Sequence, residues 1–342
     1  MDRQRHAPND GNDGNDGGAG DSYDVVVIGG GAAGLSGALT LGRSRRSVLV
    51  VDAGQPRNAS AGHVHNYLTR DGTPPGELLE AGRREVRGYG GEVIAGRVLS
   101  AAKVPDGFAV ALENGRTVRA RRLLVTTGLT DTLPDVPGVR ERWGRDVIHC
   151  PFCHGWEVRD RAIGILATGS HTVQQALMFR QLSPDVTVFQ HTAPPLTDAE
   201  REQLAARDIA IVAGEVASLV VDDDRLTGIR LHNGAVIPRQ ALVVAPHFDA
   251  NADVLATLGL DASAHPSGMG TYVPADAAGQ TAVPGVWVAG NVADLMAQVI
   301  GAAAAGLMAA AMINADLIAE ETRLAVAARH APVAIGAGTG GG

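Results

Sequence analysis

The two cysteines of the chain stand three positions apart, in the segment 149–154 with the sequence HCPFCH. C-x-x-C spacing brings two sulfurs within disulfide reach on one helical turn, and a helix that begins there lowers the pKa of one thiol. His154 follows the second cysteine directly, and an imidazole can accept and return a thiol proton near neutral pH. We therefore predict a redox-active dithiol, with Cys150, Cys153 and His154 as the catalytic residues.

Other interpretations of this segment stay open. A zinc site needs about four ligands, and only His149 and His154 flank the cysteines, so no metal site is predicted. The segment also matches the C-x-x-C-H pattern of haem attachment, but such proteins are usually exported and no apolar signal segment is present. The cysteines could also be buried, reduced thiols, and His154 could be a helix-start histidine bonded to backbone.

A dinucleotide-binding pattern lies near the start of the chain. An apolar β run at 24–28 leads into G-x-G-x-x-G at 29–34. A helical stretch and a second β run at 47–51 follow, and that run ends on Asp52. Strand, glycine-rich turn, helix, strand and acid in this order predict a bound dinucleotide.

Each part of that pattern has a physical task. Gly29 permits a tight turn, Gly31 lets the backbone approach a pyrophosphate, and Gly34 allows close packing of helix on strand. The helix N-terminus faces the phosphates, and Asp52 accepts a ribose hydroxyl. The predicted FAD contacts of this segment are Gly29, Gly31, Ala32, Ala33, Gly34 and Asp52.

The sequence contains an internal repeat. An Asn-Gly pair between apolar residues at 112–125 recurs 119 positions later, at 231–244, and each pair predicts a β-hairpin. A second strand–turn–helix opening begins at Ala162. The sequence therefore predicts an α/β protein with two Rossmann-like dinucleotide-binding domains, one for FAD and one of the NAD(P) type.

The second copy has lost its nucleotide fingerprint. Aligning Gly31 with Gly169 puts Ala167, Thr172 and Gln190 where the first copy has Gly29, Gly34 and Asp52, and no lysine or arginine lies between 181 and 200. An acid at this position would bind a ribose hydroxyl better than glutamine does, and an NADPH site would also use cations for the 2′-phosphate. We predict that this domain is mainly a scaffold; the alternative is that it tolerates these changes and still binds a nicotinamide.

A third segment, 283–291, reads as a strand that runs into Gly290 and closes the flavin site. An Ala-rich helix is expected after Asp294, and its N-terminus can stabilise negative charge on a reduced flavin. Thr127 and Gly128 mark the passage out of the flavin domain. Further predicted cofactor contacts are Thr127, Gly128, Gly290, Asn291, Gln298 and Val299.

These segments set the predicted boundaries. Residues 22–128 and 247–325 form a discontinuous FAD domain, and 129–246 form the inserted NAD(P)-type domain with the cysteines. Residues 1–21, which repeat Asn-Asp-Gly, and the Gly-rich 330–342 are expected to be flexible tails.

Composition excludes other classes of protein. Net charge is −8, and the arginines form no basic run, which argues against nucleic-acid binding. The uncharged run 295–315 contains Gln298 and Asn314 and fits a buried helix better than a membrane span. We expect a cytoplasmic protein with no membrane partner.

The order of these segments resembles the low-molecular-weight thioredoxin reductases over about 23–319. The resemblance implies that Cys153 lies nearest the flavin and that Cys150 exchanges with the substrate. It also implies a homodimer and a segment beside the flavin that contains Asn66.

The chain departs from that family in three places: His154 replaces an Asp, Asn291 replaces the Asp on the flavin ribityl chain, and the nicotinamide fingerprint is eroded. With these changes it is similar to the dithiol oxidases of holomycin and gliotoxin biosynthesis. That resemblance predicts an FAD-dependent enzyme that oxidises a small dithiol, or a small redox protein, and passes electrons to oxygen. An NAD(P)H- or ferredoxin-dependent thioredoxin reductase and a non-catalytic flavin-binding redox sensor are the alternatives.

Overall fold

The computed structural model describes residues 22–330. The predicted tails lie outside the described residues, except that His330 is the last residue of the final helix. The first part of the chain contains β1 (Ser22–Ile28), α1 (Ala32–Arg43), β2 (Val48–Asp52), α2 (Pro75–Gly88), β3 (Glu92–Ala95), β4 (Val98–Val104), β5 (Gly107–Leu112) and β6 (Thr117–Val125).

Two further parts follow. The middle part contains β7 (Leu129–Thr132), α3 (Val139–Arg142), β8 (Val147–Ile148), α4 (Pro151–His154), β9 (Ile163–Leu166), α5 (Thr172–Phe179), β10 (Val186–Phe189), α6 (Asp198–Ala205), β11 (Ala210–Val212), β12 (Val216–Asp222), β13 (Arg225–Leu231), β14 (Val236–Pro238) and β15 (Ala241–Val243). The last part contains β16 (His247–Ala250), α7 (Asp253–Ala256), β17 (Ser263–Ala264), β18 (Thr271–Tyr272), β19 (Val286–Val288) and α8 (Val299–His330).

The first sheet has the strand order β3-β2-β1-β6-β5-β4, and β19 adds in parallel beside β6. Residues 25–28 of its central strand β1 are apolar without interruption because both faces of the sheet are covered there. Val25 and Val27 face α1 and α8, whereas Val26 and Ile28 enter the core on the opposite face. This alternation follows from the two-residue period of a strand.

The second sheet is parallel throughout, in the order β11-β10-β9-β15-β8. The predicted repeat is confirmed, since both Asn-Gly pairs form turns between antiparallel strands, β5–β6 and β13–β14. Gly115 and Gly234 take φ values of 83° and 89°, which favour glycine. The copies differ after the turn, because β6 is one strand of nine residues whereas β14 and β15 are separate.

The two sheets are connected by β7 and β16, which pair antiparallel to each other. These strands lie where the chain leaves and re-enters the first part, at the predicted boundaries after Gly128 and before His247. Thr127 and Asn251 reinforce the junction, since Asn251 Nδ2 donates to the Thr127 carbonyl at 3.0 Å and Thr127 Oγ1 donates to the Asn251 carbonyl at 2.6 Å.

Helix α8 is longer than predicted and only partly buried. It begins at Val299, five residues after Asp294, and runs past the predicted domain end at 325. Gly306 lies against α1 so closely that a Cβ there would stand 1.9 Å from the Ala33 carbonyl oxygen. By length and composition alone this helix could cross a membrane, but a third of its apolar window is buried against the protein. The expected buried helix is therefore buried on one face.

Candidate active site

The two cysteines lie on a single helical turn. Cys150 is the N-cap of α4, and Pro151 is at its first helical position. The Cys153 thiol lies 2.6 Å from Cys150 Sγ and donates to it. This hydrogen bond and the backbone N–H groups of Cys153 and Phe152 lower the pKa of Cys150 to about 7, although burial opposes them.

The same contact has the opposite effect on the partner. The pKa of Cys153 is raised, because its thiol donates to Cys150, because it is buried, and because the charge on Cys150 disfavours a second thiolate. In the reduced pair Cys150 therefore carries the negative charge and Cys153 keeps the proton.

The histidines on either side of the motif have different surroundings. His154 is half-buried, and burial lowers its pKa, so the imidazole is neutral at pH 7 and can accept a proton. Among residues 22–330 its side chain makes no hydrogen bond. His149 is held by the Val244 carbonyl at 3.0 Å and lies edge-on to Phe248. These contacts hold the His149 ring in place beside the motif.

The turn before α1 has the geometry that its glycines predict. Gly29 has φ 112°, and a Cβ there would lie 2.4 Å from the Thr126 carbonyl oxygen. A Cβ on Gly34 would lie 1.9 Å from the Gly29 oxygen. By contrast, a Cβ on Gly31 would meet nothing within 4 Å. The space above Gly31 at the N-terminus of α1 fits a pyrophosphate.

Asp52 lies at the end of β2, beside this turn. Its carboxylate accepts from Arg83 at 2.8 Å and from the Gly54 N–H at 2.9 Å. These contacts fix the orientation of the carboxylate and leave lone pairs on it for a ribose hydroxyl.

Both the nitrogen and the oxygen of the Asn291 side-chain amide make hydrogen bonds within the protein. Nδ2 donates to the carbonyl oxygens of Asp294 and Ala297, each at 2.9 Å, and Oδ1 accepts from Arg57 at 3.2 Å. The amide thereby shapes the loop that leads into α8. Its predicted contact with a cofactor stays a prediction.

One cavity of about 930 Å³ joins the glycine turn to the cysteines. Of the predicted site residues, those that line it are Gly29, Gly31, Ala32, Ala33, Asp52, Thr127, Gly128, Cys150, Cys153, His154, Gly290, Asn291, Gln298 and Val299. The remaining two, Gly34 and Asn66, lie outside the lining. The sequence thus brings most of its predicted residues to one place, although they span the two domains.

Asn66 contacts the turn between the two cysteines. Its Nδ2 donates to the Phe152 carbonyl between the cysteines at 2.5 Å. The adjacent His65 lies 3.3 Å from the Glu157 carboxylate. The loop that carries Asn66 therefore contacts the C-x-x-C turn across the domain boundary.

The residue of the second domain that corresponds to Asp52 makes its contacts within its own loop. Gln190, at the position equivalent to Asp52, donates from Nε2 to the carbonyl oxygens of Ala193 and Pro194, at 3.1 and 2.8 Å. The Ala193 N–H in turn donates to the Ala167 carbonyl. The loop folds over the strand end, and the Gln190 amide is used within it.

Arg57 is the main site residue that the sequence did not indicate. It lies in the irregular segment between β2 and α2, lines the cavity, and lowers the pKa of both thiols through its positive charge. The only signal in the sequence was an arginine five positions after Asp52, which does not reveal its long-range contacts.

Known proteins agree with this architecture. The model of the pyridine nucleotide-disulphide oxidoreductase family matches residues 23–311. A thioredoxin reductase, tcpT, of Claviceps purpurea is 30% identical over 310 residues, 87% of this chain and 95% of that protein. A probable thioredoxin reductase of Arthroderma benhamiae is 36% identical over 174 residues, 49% of this chain and 43% of that protein.

Among solved structures, that of HlmI is similar with a TM-score of 0.84 and 45% identity, over 90% of this chain and 96% of that one. The predicted thioredoxin reductase-like fold is confirmed by these matches. With a C-x-x-C pair facing a dinucleotide-type turn across one cavity, the chain is an oxidoreductase and belongs to the pyridine nucleotide-disulphide oxidoreductase family.

Proposed function

We propose that the protein is an FAD-dependent dithiol oxidase that closes a disulfide in a small dithiol and passes the electrons to oxygen. The observation that carries this proposal is the state of the second nucleotide edge. Gln190 is committed to its own loop, and no lysine or arginine lies between 181 and 200 to bind a 2′-phosphate. Electrons from a substrate dithiol need no such site.

FAD fits the first domain. Its pyrophosphate would lie over Gly31 at the N-terminus of α1, its ribose beside Asp52, and its redox end toward Gly290 and the start of α8. When bound, FAD supplies a two-electron acceptor that can be reoxidised by oxygen.

The cysteines of the oxidised enzyme begin the reaction as a disulfide. A substrate thiolate attacks Cys150 Sγ, and the Cys150–Cys153 bond breaks. Cys153 leaves and takes up a proton readily, because its pKa is raised. The second substrate thiol loses its proton and attacks the substrate sulfur bound to Cys150. Cys150 then leaves as a thiolate, which its pKa of about 7 favours.

The enzyme must then recover its disulfide. His154, neutral at pH 7, accepts the proton that Cys153 keeps in the reduced pair. Re-formation of the Cys150–Cys153 bond releases two electrons, for which bound FAD would be the acceptor and oxygen the final oxidant. In sum, one dithiol and one oxygen molecule give one disulfide and one hydrogen peroxide.

The competing function is reduction of a disulfide substrate with electrons from NADPH, which the name of the Claviceps purpurea relative favours. Anaerobic mixing separates the two. We expect dithiothreitol to bleach the visible flavin absorbance rapidly and NADPH to leave it unchanged. Rapid bleaching by NADPH would refute the oxidase proposal. A redox sensor would be bleached by dithiothreitol but would not consume oxygen over many turnovers.

We also propose that two copies associate through the uncovered face of α8. Large apolar side chains are exposed there, among them Ile300, Leu307, Met308, Met312 and Ile318. An exposed apolar stripe of this length is typical of an interface. Sedimentation velocity should give a dimer for the native chain and a monomer for Met308→Glu combined with Met312→Glu. A native monomer at micromolar concentration would exclude this interface.

A further inference from the structure

Arg57 has an unusually complete set of contacts for a residue in an irregular segment. Its Nε and one terminal nitrogen donate to the two carboxylate oxygens of Asp131 at 2.8 and 2.7 Å. Its other terminal nitrogen donates to Asn291 at 3.2 Å. The guanidinium also lies over the ring of Phe248, 5.0 Å from its centroid. A planar fork held by two oxygens and one ring has a single orientation.

The partners of Arg57 lie on the junction between the domains. Asp131 is on β7 and Phe248 is on β16, and the two residues are directly opposite each other in the register of these strands. One guanidinium from the FAD-type domain therefore contacts β7 and β16, the two strands that connect to the inserted domain, at the same register position.

The contacts continue from the junction to the cysteines. Phe248 meets the ring of His149 edge-on at 5.4 Å, and His149 directly precedes Cys150. Burial is the largest cause of the lowered pKa of His149; the positive charge of Arg57 lowers it further, and the negative charge of Asp131 opposes this effect. The charge of Arg57 also lowers the pKa of Cys150 and Cys153, as the smallest of several causes for each thiol. A change at Arg57 is thus felt at the redox pair both through packing and through charge.

The other charged groups around the C-x-x-C motif form ion pairs with each other. His65 lies between Asp71 and Glu157, at 3.4 and 3.3 Å, and Glu157 opposes the effect of burial on His154. Arg97, the only other arginine lining the cavity among the described residues, is not among the causes that shift either thiol.

We propose that Arg57 is a positioning residue for the redox dithiol. It fixes the two connecting strands through Asp131 and Phe248, and its positive charge favours the loss of one proton from the reduced pair. The assignment of this pair to dithiol oxidation rests on the proposed function, whereas the effect of Arg57 on the thiols does not.

The test compares Arg57→Met, Arg57→Lys and, as a matched control, Arg97→Met in the full-length flavin-loaded protein. Each protein is reduced anaerobically with dithiothreitol, freed of reductant and treated with iodoacetamide between pH 5 and 9. Mass spectrometry then gives the alkylation rate of Cys150. Bound flavin absorbance confirms that each variant is folded.

We expect Arg57→Met to raise the apparent pKa of Cys150 by a fraction of a pH unit, with alkylation about two- to threefold slower at pH 6. Arg57→Lys keeps the positive charge and should therefore give the native pH profile of Cys150 alkylation. Because lysine cannot make both hydrogen bonds to Asp131, this variant should show several-fold slower flavin bleaching by dithiothreitol. Arg97→Met should match the native protein. A native profile for Arg57→Met, or an equal shift in Arg97→Met, would overturn the proposal. Because alkylation needs no turnover, either result is independent of the oxidase assignment.

Discussion

Replacement of His154 by glutamine tests the proton transfer on which the proposed reaction depends. The imidazole is half-buried and makes no hydrogen bond within residues 22–330, so its removal leaves no buried partner unsatisfied. The fold should therefore tolerate the change, and a kinetic loss can be assigned to chemistry. A positioned general base contributes about 10²–10⁴-fold, equivalent to about 3–5 kcal/mol of activation free energy.

The pH dependence gives the sign of the effect. His154 acts as a neutral proton acceptor, and burial lowers its pKa below the ordinary imidazole value. The contribution of His154 is therefore complete above about pH 6.5 and is lost as the pH falls through its lowered pKa. The ratio of native to His154→Gln rate constants should be flat above neutrality and fall toward one in acid.

Stopped-flow spectroscopy measures this ratio directly. Native and His154→Gln proteins are mixed anaerobically with dithiothreitol, and loss of visible flavin absorbance is followed at each pH. The ratio cancels the ionisation of the substrate thiols, which is common to both proteins. Flavin reduction at the native rate in His154→Gln at pH 8 would refute the role of His154.

Two further predictions concern the framework. Asn291→Asp places a carboxylate oxygen against the carbonyl oxygens of Asp294 and Ala297, so we expect about 1–3 kcal/mol lower stability at pH 7 and weaker retention of FAD, measured by thermal unfolding and released flavin fluorescence. Unchanged melting would contradict that reasoning. Asp146→Asn removes the buried partner of Arg142 and should cost about 3–5 kcal/mol in urea unfolding. Asp224→Asn, which removes a largely exposed partner of the same arginine, is the control and should shift the midpoint much less; equal shifts would show that burial is not the cause.

The parts of the fold that the sequence predicted depend on local chemistry. Asn114 and Asn233 precede glycines in tight turns. The pattern at 29–34 requires at Gly29 a positive φ that residues other than glycine rarely adopt. The C-x-x-C pair was found for the same reason, since three positions of a helix bring two sulfurs together. Each of these signals is contained in a short segment.

The contacts that the sequence did not predict join distant segments. Arg57 meets Asp131 and Phe248 only because the register of β7 and β16 puts those two residues opposite each other. The amide of Asn66 reaches the Phe152 carbonyl, a contact that the sequence did not predict. Neither loop carries a periodic pattern, and the approach of the two domains depends on packing that no single segment encodes.

The sequence also did not predict how much of helix α8 is buried. The uncharged run in α8 suggested a buried helix, but composition does not reveal how much of a helix its neighbours cover. Glycine at 306 permits close contact with α1 on one face, and the opposite face has no neighbour within residues 22–330 to cover Met308 or Met312.

Oxygen consumption with a dithiol as the sole reductant tests the central claim most directly. With excess dithiothreitol and no NADPH, the flavin-loaded protein should consume oxygen over many turnovers per flavin and release an equal amount of hydrogen peroxide. Cys150→Ser and Cys153→Ser should each abolish this turnover while retaining bound flavin. No oxygen uptake by the native protein, or full uptake by either serine variant, would contradict the account.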